Sequence, residues 1–202
     1  MNLQIPSITE TFAFLTGAVC VWLLVKENIW SWPIGIANNL FYVVVFWWAK
    51  LYADMGLQFF YIAISIYGWW NWLHHPAGSK KLNVIRIGGR EATALFLIGL
   101  GSTGGLYWFL RRFTDSTVPL GDSLTTAMSL VAQYMLSRKH IENWYVWITA
   151  DIIYIALYAY KQLYLTGLLY LIFMIMCIMG AIQWKKSLAS ESADREAEAV
   201  AT

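Results

Sequence analysis

A polar and aromatic stripe runs along the apolar segment between Tyr52 and Trp72. Residues three or four apart share one face of a helix, and the members of the stripe recur at that spacing. Their amide, hydroxyl and indole groups could hold an organic solute by hydrogen bonding and ring stacking. A helix packed only for stability would carry Leu or Ala there, so the stripe predicts a solute-binding face. Its members are Asp54, Gln58, Tyr61, Ser65, Gly68, Trp69 and Trp72.

Asp151 is the next candidate, because it interrupts an uncharged run between Glu142 and Lys161. A carboxylate near the middle of a membrane costs about 2.5–3.5 kcal/mol on insertion scales, so it should face the protein interior and have a partner. One interpretation is that it fixes packing through hydrogen bonds from Asn or Tyr side chains. The other is that it meets a cation or hydroxyl groups on a substrate, or relays protons.

Three more polar residues belong to the predicted substrate-binding set, which also includes Trp69, Trp72 and Trp184. Tyr154 follows Asp151 by three positions and therefore shares its face. Gln133 stands four positions after Ser129 on a neighbouring apolar span, although for the serine a packing role is favoured. Asn39 places an amide inside another span.

Tryptophans are abundant, and most of the 12 lie near predicted span ends, as in the aromatic belt of membrane proteins. Trp69 differs because it shares the stripe with Gln58 and Ser65. Trp72 and Trp184 lie at corresponding ends of two spans, where each could close a substrate site or anchor a helix. The residues assigned to the belt are Trp30, Trp32, Trp47, Trp48, Trp108, Trp144 and Trp147.

No catalytic or metal-binding motif accompanies these residues. His74, His75 and His140 lie in predicted loops without carboxylate or Cys companions at ligand spacing, so no metal site is expected. No phosphate-binding glycine loop or nucleophile elbow is present either. A membrane enzyme is disfavoured because Asp151 has no second titratable group at its depth, and a ligand-free scaffold protein is disfavoured by the costly polar stripe. We expect neither enzyme activity nor a cofactor.

The composition indicates a membrane protein. Hydrophobic residues make up 59% of the 202-residue chain and charged residues 13%, against roughly 25% charged in soluble domains. The charges are clumped, which leaves apolar stretches of about 17–25 residues, the length that crosses a bilayer as a helix. We predict one all-α polytopic membrane domain over residues 1–202. Its spans are placed at 9–25, 31–48, 54–73, 92–110, 121–137, 144–160 and 163–184.

Basic residues predict the orientation, because cytoplasmic loops are enriched in Lys and Arg. With the N-terminus outside, ten of the 14 Lys and Arg residues fall on the inner side and four on the outer side. The expected arrangement is therefore N-terminus out and C-terminus in. The net charge of +2 is too small to suggest a nucleic-acid partner.

An internal repeat appears when the sequence is shifted by 112 positions. The shift places Tyr42 on Tyr154, Gly68 on Gly180 and Trp72 on Trp184, and it places Asn39 on Asp151. With a three-residue gap near Pro33, Glu27–Asn28 also matches Glu142–Asn143, and Trp32 matches Trp147. These matches predict parallel 3+1+3 repeats, whose substrate site would lie between the halves near the bilayer midplane. The expected units are a first three-helix repeat at 9–73, a linker helix at 92–110, a second repeat at 121–184 and a solvated tail at 187–202.

Four segments closely resemble one protein family, the PnuC family of bacterial nicotinamide riboside transporters. These segments are LYADMGLQ at 51–58, IYGWWNW at 66–72, RKHIENWYVWITAD at 138–151 and KQLYLTGLLY at 161–170. The resemblance extends over both triplets, residues 10–186. That family is similar to the SWEET sugar transporters in its three-plus-one-plus-three arrangement.

The resemblance implies uptake of nicotinamide riboside, an NAD precursor, by facilitated diffusion across the bacterial inner membrane, with trapping by a cytoplasmic kinase. This substrate carries a flat cationic ring, a carboxamide and ribose hydroxyls, which indoles, amides and one carboxylate complement. Related transporters carry thiamine, also a flat cation, and other vitamins, so a thiamine or other vitamin carrier is the alternative. The implied partners are this small molecule and the lipid bilayer, while a homo-oligomer is left open.

Overall fold

The computed structural model describes the backbone of residues 8–48, 52–74 and 82–201 and the side chains of residues 15–48, 55–74, 82–164 and 166–190. Asp54 and His75 fall outside the described side chains. This part of the chain is all-α, with one isolated bridge between Ile85 and His140. Its helices are α1 (Ile8–Val25), α2 (Ser31–Trp48), α3 (Tyr52–Leu73), α4 (Gly89–Phe113), α5 (Pro119–Ser137), α6 (Asn143–Tyr160) and α7 (Tyr164–Ala201).

The predicted spans agree with six of these helices to within a few residues, and the seventh is longer. Helix α7 continues to Ala201 through the segment that was expected to be a solvated tail. The segment contains Ala, Glu and Arg but no Gly or Pro, so nothing in its composition ends a helix. Ser187 hydrogen-bonds Glu27, and Leu188 packs against the buried core. The first residues of the extension are thus part of the fold.

Six helices form a closed ring, and α4 lies outside it. The ring runs α1–α2–α3–α5–α6–α7 and returns to α1, while α4 packs against α5. Exchanging α1 with α5, α2 with α6 and α3 with α7 maps every contact of the ring onto another contact of the ring. This is the pattern expected of two parallel three-helix repeats related by an axis along the membrane normal.

The turns after α1 and α5 repeat each other bond for bond at a shift of 112. Glu27 N–H donates to Leu24 at 3.0 Å, and Lys139 N–H donates to Leu136 at 3.0 Å. The donor residue of each turn has a left-handed backbone conformation, with φ of 54° at Glu27 and 60° at Lys139. No gap is therefore needed near Pro33. The gapped sequence matches are wrong, because the turns pair Glu27 with Lys139 and the positions of the indoles pair Trp32 with Trp144.

Each repeat contains a tryptophan that fills the notch left by a glycine on another helix. A Cβ atom at Gly180 would lie 2.6 Å from the Trp144 indole, and one at Gly68 would overlap the Trp32 indole. Trp32 and Trp144 are each 2% exposed, so their assignment to the membrane belt is wrong. The facing glycine lets each indole enter the core. The predicted belt residues that are exposed are Trp30, Trp47, Trp48 and Trp108.

The outer surface of the helices is apolar. Leu40, Phe60, Phe96 and Ile152 are each at least half exposed, and a continuous surface of this kind is compatible with lipid rather than water. Among the described residues, two stretches have the length and hydropathy of a membrane span, Gly89–Phe113 and Thr166–Ser190. Helix α2 has a lower mean hydropathy because it carries the polar side chains of Asn38 and Asn39.

Replacing either notch glycine with alanine is expected to destabilise the fold. The added methyl group would displace a buried indole in Gly68→Ala or Gly180→Ala, and overpacking of this kind costs about 1–3 kcal/mol. Thermal unfolding of the purified protein in detergent would measure the loss. Gly56→Ala, also in α3, is the control because its Cβ would meet nothing within 4 Å. Equal stability of all three variants would contradict the prediction that an indole fills the space beside each of these glycines.

Candidate solute-binding site

Polar side chains of α3 meet polar side chains of α5 where the two halves of the ring join. Gln133 Nε2 donates to Ser65 Oγ at 3.4 Å, and Ser65 is 3% exposed. One turn away, the Tyr61 hydroxyl interacts with the side chain of Ser129. The structure therefore brings together three of the predicted site residues, Tyr61, Ser65 and Gln133. Tyr154 of α6, the next helix of the second repeat, lies near Tyr61.

Asp151 faces the protein interior, as predicted for a carboxylate at this depth. It is 4% exposed, and the Cys177 thiol of α7 donates to its Oδ2 at 3.7 Å. The predicted partners were Asn or Tyr, so the thiol is a difference from the sequence-based expectation. In the first repeat the corresponding residues are Asn39 and Ser65, again a group on the middle helix and a smaller polar group on the last.

Two predicted site amides have no hydrogen-bond partner among the described residues, namely those of Asn39 in α2 and Gln58 in α3. Both side chains are half-buried. A polar group removed from water without a partner is costly, and few alternatives exist inside a membrane. These amides are therefore suited to hydrogen-bond a solute or the water around it. The neighbouring Asn38 differs, because its Nδ2 donates to Thr16.

Three tyrosines form a cluster between α6 and α7 that the sequence only partly predicted. The ring centroids of Tyr154 and Tyr158 are 6.1 Å apart and those of Tyr154 and Tyr170 are 4.6 Å apart. Tyr154 was a predicted site residue, whereas Tyr170 was missed. The shift of 112 places Tyr170 on Gln58, so the repeat could have pointed to it. The first repeat keeps the corresponding pair, with Tyr42 stacked on Phe46 at 5.6 Å.

The three predicted site tryptophans lie in two different environments. Trp69 is 37% exposed, one turn from Ser65 on α3. Trp72 and Trp184 are 6% and 0% exposed, and their ring centroids are 6.0 Å apart at one end of the ring. Both are buried, and the indole N–H of Trp184 donates to the carbonyl oxygen of Leu24 at 3.1 Å, so this residue also ties α7 to α1. The two tryptophans close one end of the ring, where their ring contacts are with Trp32, Trp144 and each other.

Comparison with known proteins identifies the family. A family model described as "Nicotinamide mononucleotide transporter" matches residues 7–186. The chain is 24% identical to the nicotinamide riboside transporter PnuC of Escherichia coli over 88% of its own length and 85% of that protein. It is also 22% identical to the riboflavin/roseoflavin transporter RibM of Streptomyces davaonensis, over 84% of this chain and 81% of that protein.

A solved structure has the same fold. The crystal structure of the vitamin B3 transporter PnuC superimposes with a TM-score of 0.67 at 24% identity, covering 88% of this chain and 80% of that one. The seven-helix membrane architecture predicted from the sequence is thereby confirmed. Since the family model spans most of the chain, this protein is an integral membrane protein, not an enzyme, and belongs to the family of nicotinamide mononucleotide transporters that includes PnuC.

Proposed function

We propose that this protein takes up nicotinamide riboside by facilitated diffusion, with the two repeats alternately opening the site to each side of the membrane. The observation that carries the proposal is a buried carboxylate, Asp151, in the same ring as half-buried amides that have no hydrogen-bond partner among the described residues. The pyridinium ring of the substrate would meet Asp151 and an indole, while its carboxamide and ribose hydroxyls would meet the amides. Phosphorylation in the cytoplasm would then trap the nucleoside.

Charge favours the nucleoside over the nucleotide. Asp151 is the charged side chain described in the middle of the ring, and it would repel a phosphate group while attracting a cation. The relatives of this chain carry names that refer to nicotinamide riboside and to riboflavin. Thiamine is the cationic rival, and riboflavin is a flat neutral one. A titration against these three vitamins and nicotinamide mononucleotide would decide among them.

The proposed site comprises residues of both repeats and the helices beside them. Trp72 and Trp184, on the last helix of each repeat, would close the site from one end. The members of the proposed site are Asn39, Gln58, Tyr61, Ser65, Trp69, Trp72, Gln133, Asp151, Tyr154 and Trp184. The proposed units remain 9–73, 92–110 and 121–184. Because one chain closes a complete ring, each copy in a homo-oligomer would have its own path.

The proposed location is the bacterial inner membrane with the N-terminus out and the C-terminus in. The basic residues Arg138, Lys139, Lys185 and Lys186 support this orientation, because they lie on the side to which α7 extends. A cysteine introduced at Ser190 should react with a membrane-impermeant maleimide from the cytoplasmic side alone. Reaction in intact cells would reverse the assignment.

Removal of the Asp151 charge is expected to weaken binding of the cationic substrate selectively. In Asp151→Asn the side-chain shape is kept, so the Kd for nicotinamide riboside should rise about tenfold, which is 1.4 kcal/mol. The reduced nucleoside has a neutral ring, and its Kd should change by no more than about twofold. Calorimetric titration of the purified protein measures both. An equal change for the two ligands would show that the carboxylate does not recognise the ring charge.

The same titration tests the indole. Trp69→Ala should raise the Kd of nicotinamide riboside by about tenfold or more, since a desolvated cation–π contact contributes up to roughly 2 kcal/mol. Trp108→Ala in α4 is the matched control, because this residue is 63% exposed and lies outside the ring. An unchanged affinity in Trp69→Ala would remove the indole from the proposed site.

Transport should equalise concentrations without accumulating substrate. Facilitated diffusion needs no ion gradient, so radiolabelled nicotinamide riboside should reach the same final concentration inside liposomes with and without an imposed pH gradient. Among the described residues, Asp151 is the carboxylate buried in the middle of the ring, and no chain of carboxylates leads to it that could relay protons. Accumulation that depends on the pH gradient would establish proton coupling instead.

A further inference from the structure

One end of the ring is closed by four tryptophans around a buried ion pair, a group we name the tryptophan plug. Trp72 meets Trp32 edge-on at 5.4 Å, and Trp184 meets Trp144 edge-on at 5.3 Å. Between the halves, Lys139 Nζ lies 2.7 Å from Glu27 Oε2, and the two side chains are 2% and 7% exposed. The ammonium group also lies 4.8 Å and 5.9 Å from the ring centroids of Trp72 and Trp184.

Glu27 and Lys139 occupy corresponding positions of the two repeats. The shift of 112 relates them, so the ion pair joins the halves across their common axis. Both residues have positive φ, where glycine is the favoured residue because any Cβ is strained. Keeping charged residues in this conformation costs stability, and the ion pair is the interaction that their side chains provide in return.

The plug also holds the segments that surround it. Lys139 Nζ donates to the carbonyl oxygen of Leu82, which precedes α4, at 2.6 Å. The Ser187 hydroxyl at the start of the α7 extension donates to Glu27, and Trp184 Nε1 donates to the carbonyl oxygen of Leu24 at 3.1 Å. Release of the ion pair would therefore loosen α1, the 82–88 segment and α7 together.

The plug is not built for maximal stability. The indole N–H groups of Trp32, Trp72 and Trp144 are buried and have no hydrogen-bond partner among the described residues. A buried ion pair often contributes less stability than apolar side chains of the same volume. On opening, however, water would hydrate both charges and all three N–H groups. Opening this plug therefore costs less free energy than opening a plug made only of apolar side chains would.

We infer that the Glu27–Lys139 pair is the latch of a gate on the cytoplasmic side, which must break each time the carrier opens inward. This inference rests on the proposed alternating access. It gives Glu27 and Lys139 a role that needs no contact with substrate during binding. The pair positions the two halves, and its rupture lets the helix ends that carry the plug separate.

Accessibility of a native thiol tests the gate without any substrate. Cys177 lies seven residues before Trp184 on the same face of α7 and is 5% exposed. In a Cys20→Ala background it should react slowly with a membrane-impermeant thiol reagent applied to the cytoplasmic side of inside-out vesicles. Glu27→Gln and Lys139→Met each leave a buried partner uncompensated, so each should accelerate labelling by about tenfold or more.

The charge-swapped double variant Glu27→Lys/Lys139→Glu should restore slow labelling, to within about threefold of the parent, because the two positions are equivalent and the pair is re-formed with its sign reversed. Glu142→Gln is the matched control. Glu142 lies at the same end of the ring but accepts a hydrogen bond from Ile87 N–H. Unchanged labelling in the single variants, equal acceleration in the swap, or equal acceleration in the control would overturn the gate.

Cross-linking offers a second test of the gate, which applies even if the charge variants do not fold. Cysteines at positions 27 and 139, joined by a short thiol cross-linker after reconstitution, should stop nicotinamide riboside uptake. Uptake before cross-linking shows whether the transport proposal holds, so its failure is separable from failure of the gate. Unimpaired uptake by the cross-linked protein would show that the pair does not have to separate.

Discussion

The insertion of one indole into one glycine notch in each repeat is the interaction on which the rest of the structure depends. Trp32 at Gly68 and Trp144 at Gly180 set how closely the helices of each repeat approach. In a membrane the hydrophobic effect does not drive helices together, so close packing of this kind must do so. Because both notches lie at the same end of the ring, they also place Glu27 opposite Lys139.

The two repeats share their packing and differ in their chemistry. The tryptophans of the plug and the two notch glycines are identical in the two halves, and so are the hydrogen bonds of the turns beside them. Deeper in the ring the paired positions diverge: Asn39 corresponds to Asp151, and Trp69 corresponds to Ala181. A symmetric scaffold presenting unlike groups suits a ligand with unlike ends, since each end can meet a different half. Substrate selectivity can then change without altering the interactions that hold the helices.

Most of the fold could be predicted from the sequence, because apolar spans follow from local composition and the repeat follows from a comparison of the sequence with itself. The depth and interior position of Asp151 followed from the cost of a charge in lipid. What could not be predicted were contacts set by tertiary packing. The burial of Trp32 depends on a glycine in another helix, and Lys139 looked like a loop cation because its partner Glu27 is 112 residues away.

Features that weaken the closed state have a common explanation in a carrier. Two conformations can interconvert at a useful rate and population only if their free energies differ by a few kcal/mol. Buried indole N–H groups that have no hydrogen-bond partner in the described part of the chain raise the free energy of the closed form. The same groups become hydrated when the ring opens. A plug made wholly of leucine would pack as well and would not be relieved in this way, so the polar groups at the axis set the balance between the two states.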